Sequence, residues 1–193
     1  MPITGRTPKE CLDQFRKHIG PLVAATLAKD HPLLYENAGS FWTLTFRQAG
    51  PITIPLKTKL GMLFFALGQS LEAVKEEKQY RLRTRQYWYR LQEKPELNEK
   101  AVLRWEYDST LRPGERRYCR HHVQAATRLP IAGKHLDLDR AHTPTGWVTI
   151  EEVIRFLITE LGVRPPCGDS WPEKLAVSEE VLFEEFTSKR YKK

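Results

Sequence analysis

The chain has 193 residues, 40% of them hydrophobic and 28% charged, which suits one globular domain of ordinary composition. Its formal net charge of +7 and isoelectric point near 9.4 favour a polyanionic partner. The longest mostly apolar run, Leu60 to Leu71, is too short for a bilayer span, and Cys11, Cys119 and Cys167 are widely spaced and form no CxxC pattern; this argues against a membrane anchor, a disulfide framework and a zinc site.

Thr7-Pro8-Lys9-Glu10 predicts the start of a helix: an N-cap threonine, a proline in the first turn and a glutamate three residues after the cap. Cys11, Leu12, Phe15 and Ile19 share its apolar face. Gly20-Pro21 is expected to break it, and Leu22 to Lys29 to form a second helix that ends before Pro32. Trp42 to Phe46 alternates as a strand does, and Ile52 to Ile54 is placed to pair back. Leu60, Leu63, Phe64, Leu67, Leu71 and Val74 recur three or four residues apart and predict a helix with a buried stripe, although Gly61 and Gly68 weaken it by about 1 kcal/mol each. Residues 7–78 therefore read as a mainly helical N-terminal part.

The middle of the chain, 80–128, reads as a basic sheet whose core is an antiparallel meander over 86–126. Its expected strands are Gln86 to Gln92, Ala101 to Asp108 and Arg117 to Ala126. Thr149-Ile150-Glu151-Glu152 is a capping box, and Ile150, Val153, Ile154, Leu157, Ile158 and Leu161 complete a helix that Gly162 stops. A last helix is expected from about Ser178 to Arg190, so that 149–190 carries the C-terminal helices. The expected fold is a single α+β domain over 1–193, an antiparallel sheet flanked by N-terminal and C-terminal helices.

The excess charge lies in one place. Residues 78–128 hold 13 Lys and Arg against 6 Asp and Glu, a surplus equal to the net charge of the whole chain. Tyr80, Tyr87, Trp88, Tyr89, Trp105, Tyr107 and Tyr118 are interleaved with these cations. Cations that neutralise phosphates beside aromatics that stack on bases make a nucleic-acid surface. Arg81, Arg83, Arg85, Arg90, Arg104 and Arg120 are the candidates for phosphate, Trp88 and Tyr89 for stacking, and Gln124 for a polar contact. The competing arrangement is a twisted sheet with arginines outside and aromatics inside.

Alternation separates two adjacent imidazoles. Cys119, His121 and Val123 share one face of the third strand; Arg120, His122 and Gln124 share the other. His121 keeps apolar company and reads as a packed histidine. With suitable register, Arg104, Glu106 and Asp108 would project beside His122, whereas a slip of one residue would exchange the faces. Such a surface suits RNA cleavage without a metal. A base of near-neutral pKa takes the 2′-hydroxyl proton, that oxygen attacks the adjacent phosphorus, and guanidinium groups hold the transition-state charge. His122 is cast as base or acid, with Arg104 and Arg120 on phosphate. No cofactor is expected. His121, His122, His135, Asp137, Asp139 and His142 concentrate possible metal ligands but match no ligand spacing, and no Gly-rich phosphate loop or GxSxG is present.

Taken in order, Tyr87-Trp88-Tyr89-Arg90-Leu91-Gln92, Leu103-Arg104-Trp105-Glu106-Tyr107-Asp108 and His121-His122-Val123-Gln124 resemble the core of the TumE-like toxins of bacterial toxin–antitoxin pairs. Thr143-Pro144-Thr145-Gly146-Trp147, leading into Ile150 to Leu161, resembles the closing region of that pattern, so the likeness spans about residues 80 to 162. Ser109-Thr110-Leu111-Arg112 stands where the family pattern has Asn-Ala-Pro-His-His. The resemblance implies a toxin-type ribonuclease with an antitoxin partner, and points to Arg104, Asp108, His121 and His122 as its polar positions.

The expectation is a cytoplasmic toxin or defence effector that cleaves RNA without a metal. The alternative is a non-catalytic module of a defence or toxin–antitoxin complex that binds RNA or DNA, or another protein, through the same patch. No membrane partner is expected.

Overall fold

The computed structural model describes residues 3–37, 39, 41–47, 52–97, 99–111, 120–131, 134–139 and 141–187, with side chains for all of these except 128, 129, 131, 135 and 181–187. In chain order the elements are β1 (Thr4–Gly5), α1 (Pro8–Thr26), β2 (Leu33–Asn37), β3 (Trp42–Phe46), β4 (Ile54–Thr58), β5 (Gly61–Glu76), β6 (Gln79–Gln92) and β7 (Ala101–Asp108). They continue with β8 (His121–Ala125), β9 (Arg128–Ile131), β10 (Lys134–Asp137), β11 (Thr143–Pro144), α2 (Ile150–Thr159) and α3 (Trp171–Thr187). The fold is α+β. A mostly antiparallel sheet runs β11-β8-β7-β6-β5-β3-β2, with β4 beside β5, β1 beside β6, and β9–β10 as a separate hairpin.

The helix expected over residues 60–74 is a strand. β5 extends for 16 residues and pairs along its length with β6. The helical spacing arose because both faces of this strand carry apolar residues, and a two-sided apolar run has no clean period of two. Leu63, Phe65, Leu67, Gln69 and Leu71 are buried on one face, and Ala66 and Gly68 on the other. Gly68 is required by its neighbour: a Cβ there would lie 2.2 Å from Cε2 of Trp88, whose indole rests on the bare backbone. The expected break at Gly20-Pro21 is also absent, since α1 runs through Pro21 to Thr26. Proline removes one hydrogen bond there, but Leu22 and Val23 stay buried and hold the last turn in place. Of the meander expected over 86–126, β6, β7 and β8 are present, and residues 117–119 of its expected third strand lie outside the described residues.

Most of the aromatics interleaved with the basic residues face the helices. Tyr87, Tyr89, Trp105 and Tyr107 are buried and join one hydrophobic cluster with residues of α1, α2 and α3. Phe156 of α2 meets Trp105 edge-on at 5.4 Å, and Tyr87 Oη accepts from the Val148 amide at 3.0 Å. The capping box at the start of α2 forms as its residues require: Thr149 Oγ1 accepts from the Glu152 amide and Glu152 accepts from the Thr149 amide. Among the described residues, no helix is long and apolar enough to cross a membrane.

One polar chain crosses the helical layer. Ser178 of α3 donates to Glu151 Oε1 of α2 at 2.5 Å and lies 2.9 Å from Nε2 of His18 in α1. Burial pushes the Glu151 carboxyl up, against the opposing effect of the Ser178 hydrogen bond. A carboxyl raised in the folded state stabilises the fold at low pH and loses that contribution as pH rises through its folded value.

Two outcomes follow. Gly68→Ala should displace Trp88 and lower unfolding free energy by about 1–3 kcal/mol, the range for overpacking, as read by urea titration of tryptophan fluorescence. Glu151→Gln should gain stability over the wild type between pH 4 and pH 8, and a constant difference across that range would refute the assigned ionisation.

Candidate functional site

Strand register assembles the site. β6 gains one residue over β5 at Arg85, because Ser70 pairs with Gln86 while Leu71 pairs with Thr84. This bulge reverses the alternation, so that Leu82 and Thr84 before it and Tyr87, Tyr89 and Leu91 after it are all buried. The opposite face then receives Gln86, Trp88 and Arg90 from β6. β7 adds Asp108, Glu106 and Arg104 in register with them, and β8 sets His122 opposite Glu106 and Gln124 opposite Arg104.

All of these except Arg90 line a cleft of about 830 Å³, together with Leu111, Asp139 and His142. Glu106 is its electrostatic centre. One oxygen lies 3.2 Å from Nε2 of His122; the other faces Arg90 at 3.5 Å and Arg104 at 3.9 Å. Burial raises the Glu106 carboxyl, but the His122 hydrogen bond, Arg104 and Arg90 together outweigh it and hold it below the usual range. An ionised carboxylate only accepts, so Nε2 of His122 carries the hydrogen of that bond. This is how a carboxylate fixes the tautomer and orientation of an imidazole used in proton transfer.

His142 completes the arrangement. Its ring meets that of His122 edge-on, with centroids 4.6 Å apart, and its Nε2 lies 3.5 Å from Nε2 of Gln124. β11 puts it there by pairing Thr143 with Val123 and Pro144 with His122. Burial lowers the His142 pKa, and the charges of His122 and Arg104 lower it further against the pull of Glu106. Gln124 is buried; its Nε2 donates to the Asp139 carbonyl at 3.0 Å, and its Oε1 has no hydrogen-bond partner.

The residues singled out in the sequence divide by face. His122, Arg104, Asp108, Trp88 and Gln124 line the cleft. Arg90 flanks it, ion-paired to Glu106 and 5.2 Å from the Trp88 ring. Trp88 thus has Gly68 against its indole and the Arg90 guanidinium over its ring. His121 lies on the helix side, stacked on Tyr107 at 4.3 Å, and Tyr89 is buried there too, so neither reaches the cleft. Asp108 accepts from Gln86 and from Thr110, which holds it in the turn after β7. Arg120 is exposed and donates from Nε to the Leu111 carbonyl. Arg81 pairs with Glu76 and Arg85 with Glu72, while Arg83 is exposed.

Cys119 and Tyr118 lie outside the described residues, as does the side chain of His135. Among the described residues, no group of three or more His, Cys, Asp or Glu is arranged to hold a metal ion. The sequence places His142 among possible metal ligands and not beside His122 in the expected cleavage site. Twenty residues separate it from His122, and no spacing rule joins them; the short β11 pairing does. No family model matches the chain, and neither a curated protein nor a solved structure matches it.

Because Glu106 is depressed in the folded state, its contribution is present above the ordinary carboxyl value of 4.5 and is lost as pH falls below it. Glu106→Gln should therefore flatten the acid side of the stability profile, narrowing the gap to wild type below pH 4.5 in denaturant titrations across pH. An unchanged acid slope would show that Glu106 does not hold these cations.

Proposed function

We propose that the cleft cleaves RNA without a metal, by proton transfer through its histidines and phosphate stabilisation by Arg104. The observation that carries this reading is the Glu106–His122 pair opening onto a cleft that also holds His142 and Arg104. A carboxylate-oriented imidazole beside a guanidinium is the equipment for 2′-hydroxyl activation and for holding charge on a pentavalent phosphorus. The exposed Arg83 and Arg120, with the basic segment 78–128 as a whole, supply longer-range attraction for a polyanion. The likeness of residues 80–162 to TumE-like toxins points the same way, and with it come the proposals of a toxin or defence role and of a cognate antitoxin or defence-complex partner.

A second reading rests on a specific observation. Arg81, Arg85, Arg90 and Arg104 each face a glutamate, and Asp108 and Asp139 add further negative charge at the cleft. Guanidiniums held this way have less charge to offer phosphate. A non-catalytic module that binds nucleic acid or a protein partner through the outer rim fits that balance.

Labelled single-stranded RNA and DNA, each incubated with EDTA and with Mg²⁺, separates the two. Cleavage of RNA that survives EDTA and vanishes in the His122→Ala, His142→Ala double variant is the expected result. Binding without cleavage in every condition would move the conclusion to the non-catalytic module.

A further inference from the structure

Resting on that reading, we infer that His142, not His122, is the histidine that meets the substrate, and that Glu106 and His122 act behind it as positioning residues. Burial supports the order. Both histidines line the cleft, but His122 is 5% exposed and its Nε2 is committed to Glu106, whereas His142 is only partly buried. The three groups lie next to one another: the Glu106 carboxylate, 23% exposed, the more deeply buried His122 ring 3.2 Å from it, then the His142 ring with its centroid 4.6 Å from that of His122. The row is set by backbone pairing, Glu106 opposite His122 in β7–β8 and Pro144 opposite His122 in β8–β11, so it does not depend on a flexible side chain finding its place.

Among the described residues, three charged or titratable groups act on His142. Arg104 on β7 and His122 on β8 disfavour its protonation, and Glu106 favours it. Asp139, on the segment before His142, has its carboxylate 2.9 Å from Lys100 Nζ. Burial, His122 and Arg104 together outweigh Glu106 and lower the His142 pKa, which favours the neutral imidazole that can accept a proton. In the proposed step the ribose 2′-hydroxyl gives its proton to His142 and its oxygen forms a bond to the adjacent phosphorus. The bond from phosphorus to the 5′-oxygen breaks, that oxygen takes a proton from water, and the hydroxide so formed recovers the proton held by His142, which returns to its neutral form. The products are a 2′,3′-cyclic phosphate and a 5′-hydroxyl, with no oxidant or further reactant needed.

Two measurements test this, and they separate its failure from that of the ribonuclease reading. The first is labelling of the native protein with diethylpyrocarbonate, followed by peptide mass mapping, with and without a 2′-O-methyl RNA that cannot be cleaved. His142 should label before His122, and the oligonucleotide should slow it. His122 labelling first, or an oligonucleotide that binds and leaves the His142 rate unchanged, would overturn the inference even if RNA is cleaved. An oligonucleotide that does not bind at all would overturn the nucleic-acid reading and the catalytic role with it.

The second is the pH dependence of cleavage. His142→Gln should lose at least about 10²-fold at every pH, the usual worth of a proton-transfer group. His122→Gln should keep measurable activity while its acid limb moves to higher pH, because a charge that opposes protonation of His142 is gone. Glu106→Gln should move the limb to lower pH. Equal loss in His122→Gln and His142→Gln with no movement of the limb would return the substrate contact to His122.

Discussion

The pairing of β6 with β5 slips by one residue at Arg85, and every side chain from Gln86 onward takes its face from that slip. Without the extra residue, the alternation that buries Leu82 and Thr84 would carry Gln86, Trp88 and Arg90 toward the helices and turn Tyr87 and Tyr89 outward. β7 and β8 copy the setting through their own pairing, so Arg104, Glu106, His122 and Gln124 inherit the open face from one insertion in β6, two strands away from His122 and Gln124. Gly68 fits the same constraint. Trp88 is directed to the open face by the slip, and it can lie flat there because the residue opposite it lacks a side chain.

The two faces divide the segment's chemistry. On the helix side, Tyr87, Trp105, Tyr107 and His121 pack as rings against Trp147 and Phe156, which gives the sheet its apolar anchor. On the open side, two guanidiniums and an imidazole converge on one carboxylate. Desolvating Glu106 alone would be costly, and the cations around it are what keep it ionised. The same convergence limits how strongly Arg90 and Arg104 attract an anion from solution, so the cleft differs in character from the basic segment that contains it.

Much of the fold was legible from local pattern. The caps at Thr7 and Thr149, the stripe of α2 and the alternation of β7 are short-range signals written in adjacent residues, and each element stands where its signal lies. β5 was misread because a strand packed on both faces shows apolar residues at helical intervals by coincidence of composition. α1 passes through Pro21 because burial of its last turn outweighs one missing hydrogen bond. Of the site, the pairing of His122 with the Arg104–Asp108 strand was conditional on register, and Trp88 and Tyr89 could not be told apart, since neighbours in a strand differ only by which face they take.

By itself, then, the amino-acid sequence determined the elements with local caps and alternation, the concentration of cations between residues 78 and 128, and the presence of His122, Arg104 and Glu106 within one meander. Only the tertiary structure decided that Tyr89 and His121 turn inward, that Arg81, Arg85, Arg90 and Arg104 meet glutamates, and that His142 stands beside His122. The reason is physical. Face and register in a sheet come from hydrogen bonding between strands distant in sequence, where one inserted residue or a two-residue pairing such as β11 with β8 changes every neighbour, and no local spacing records it.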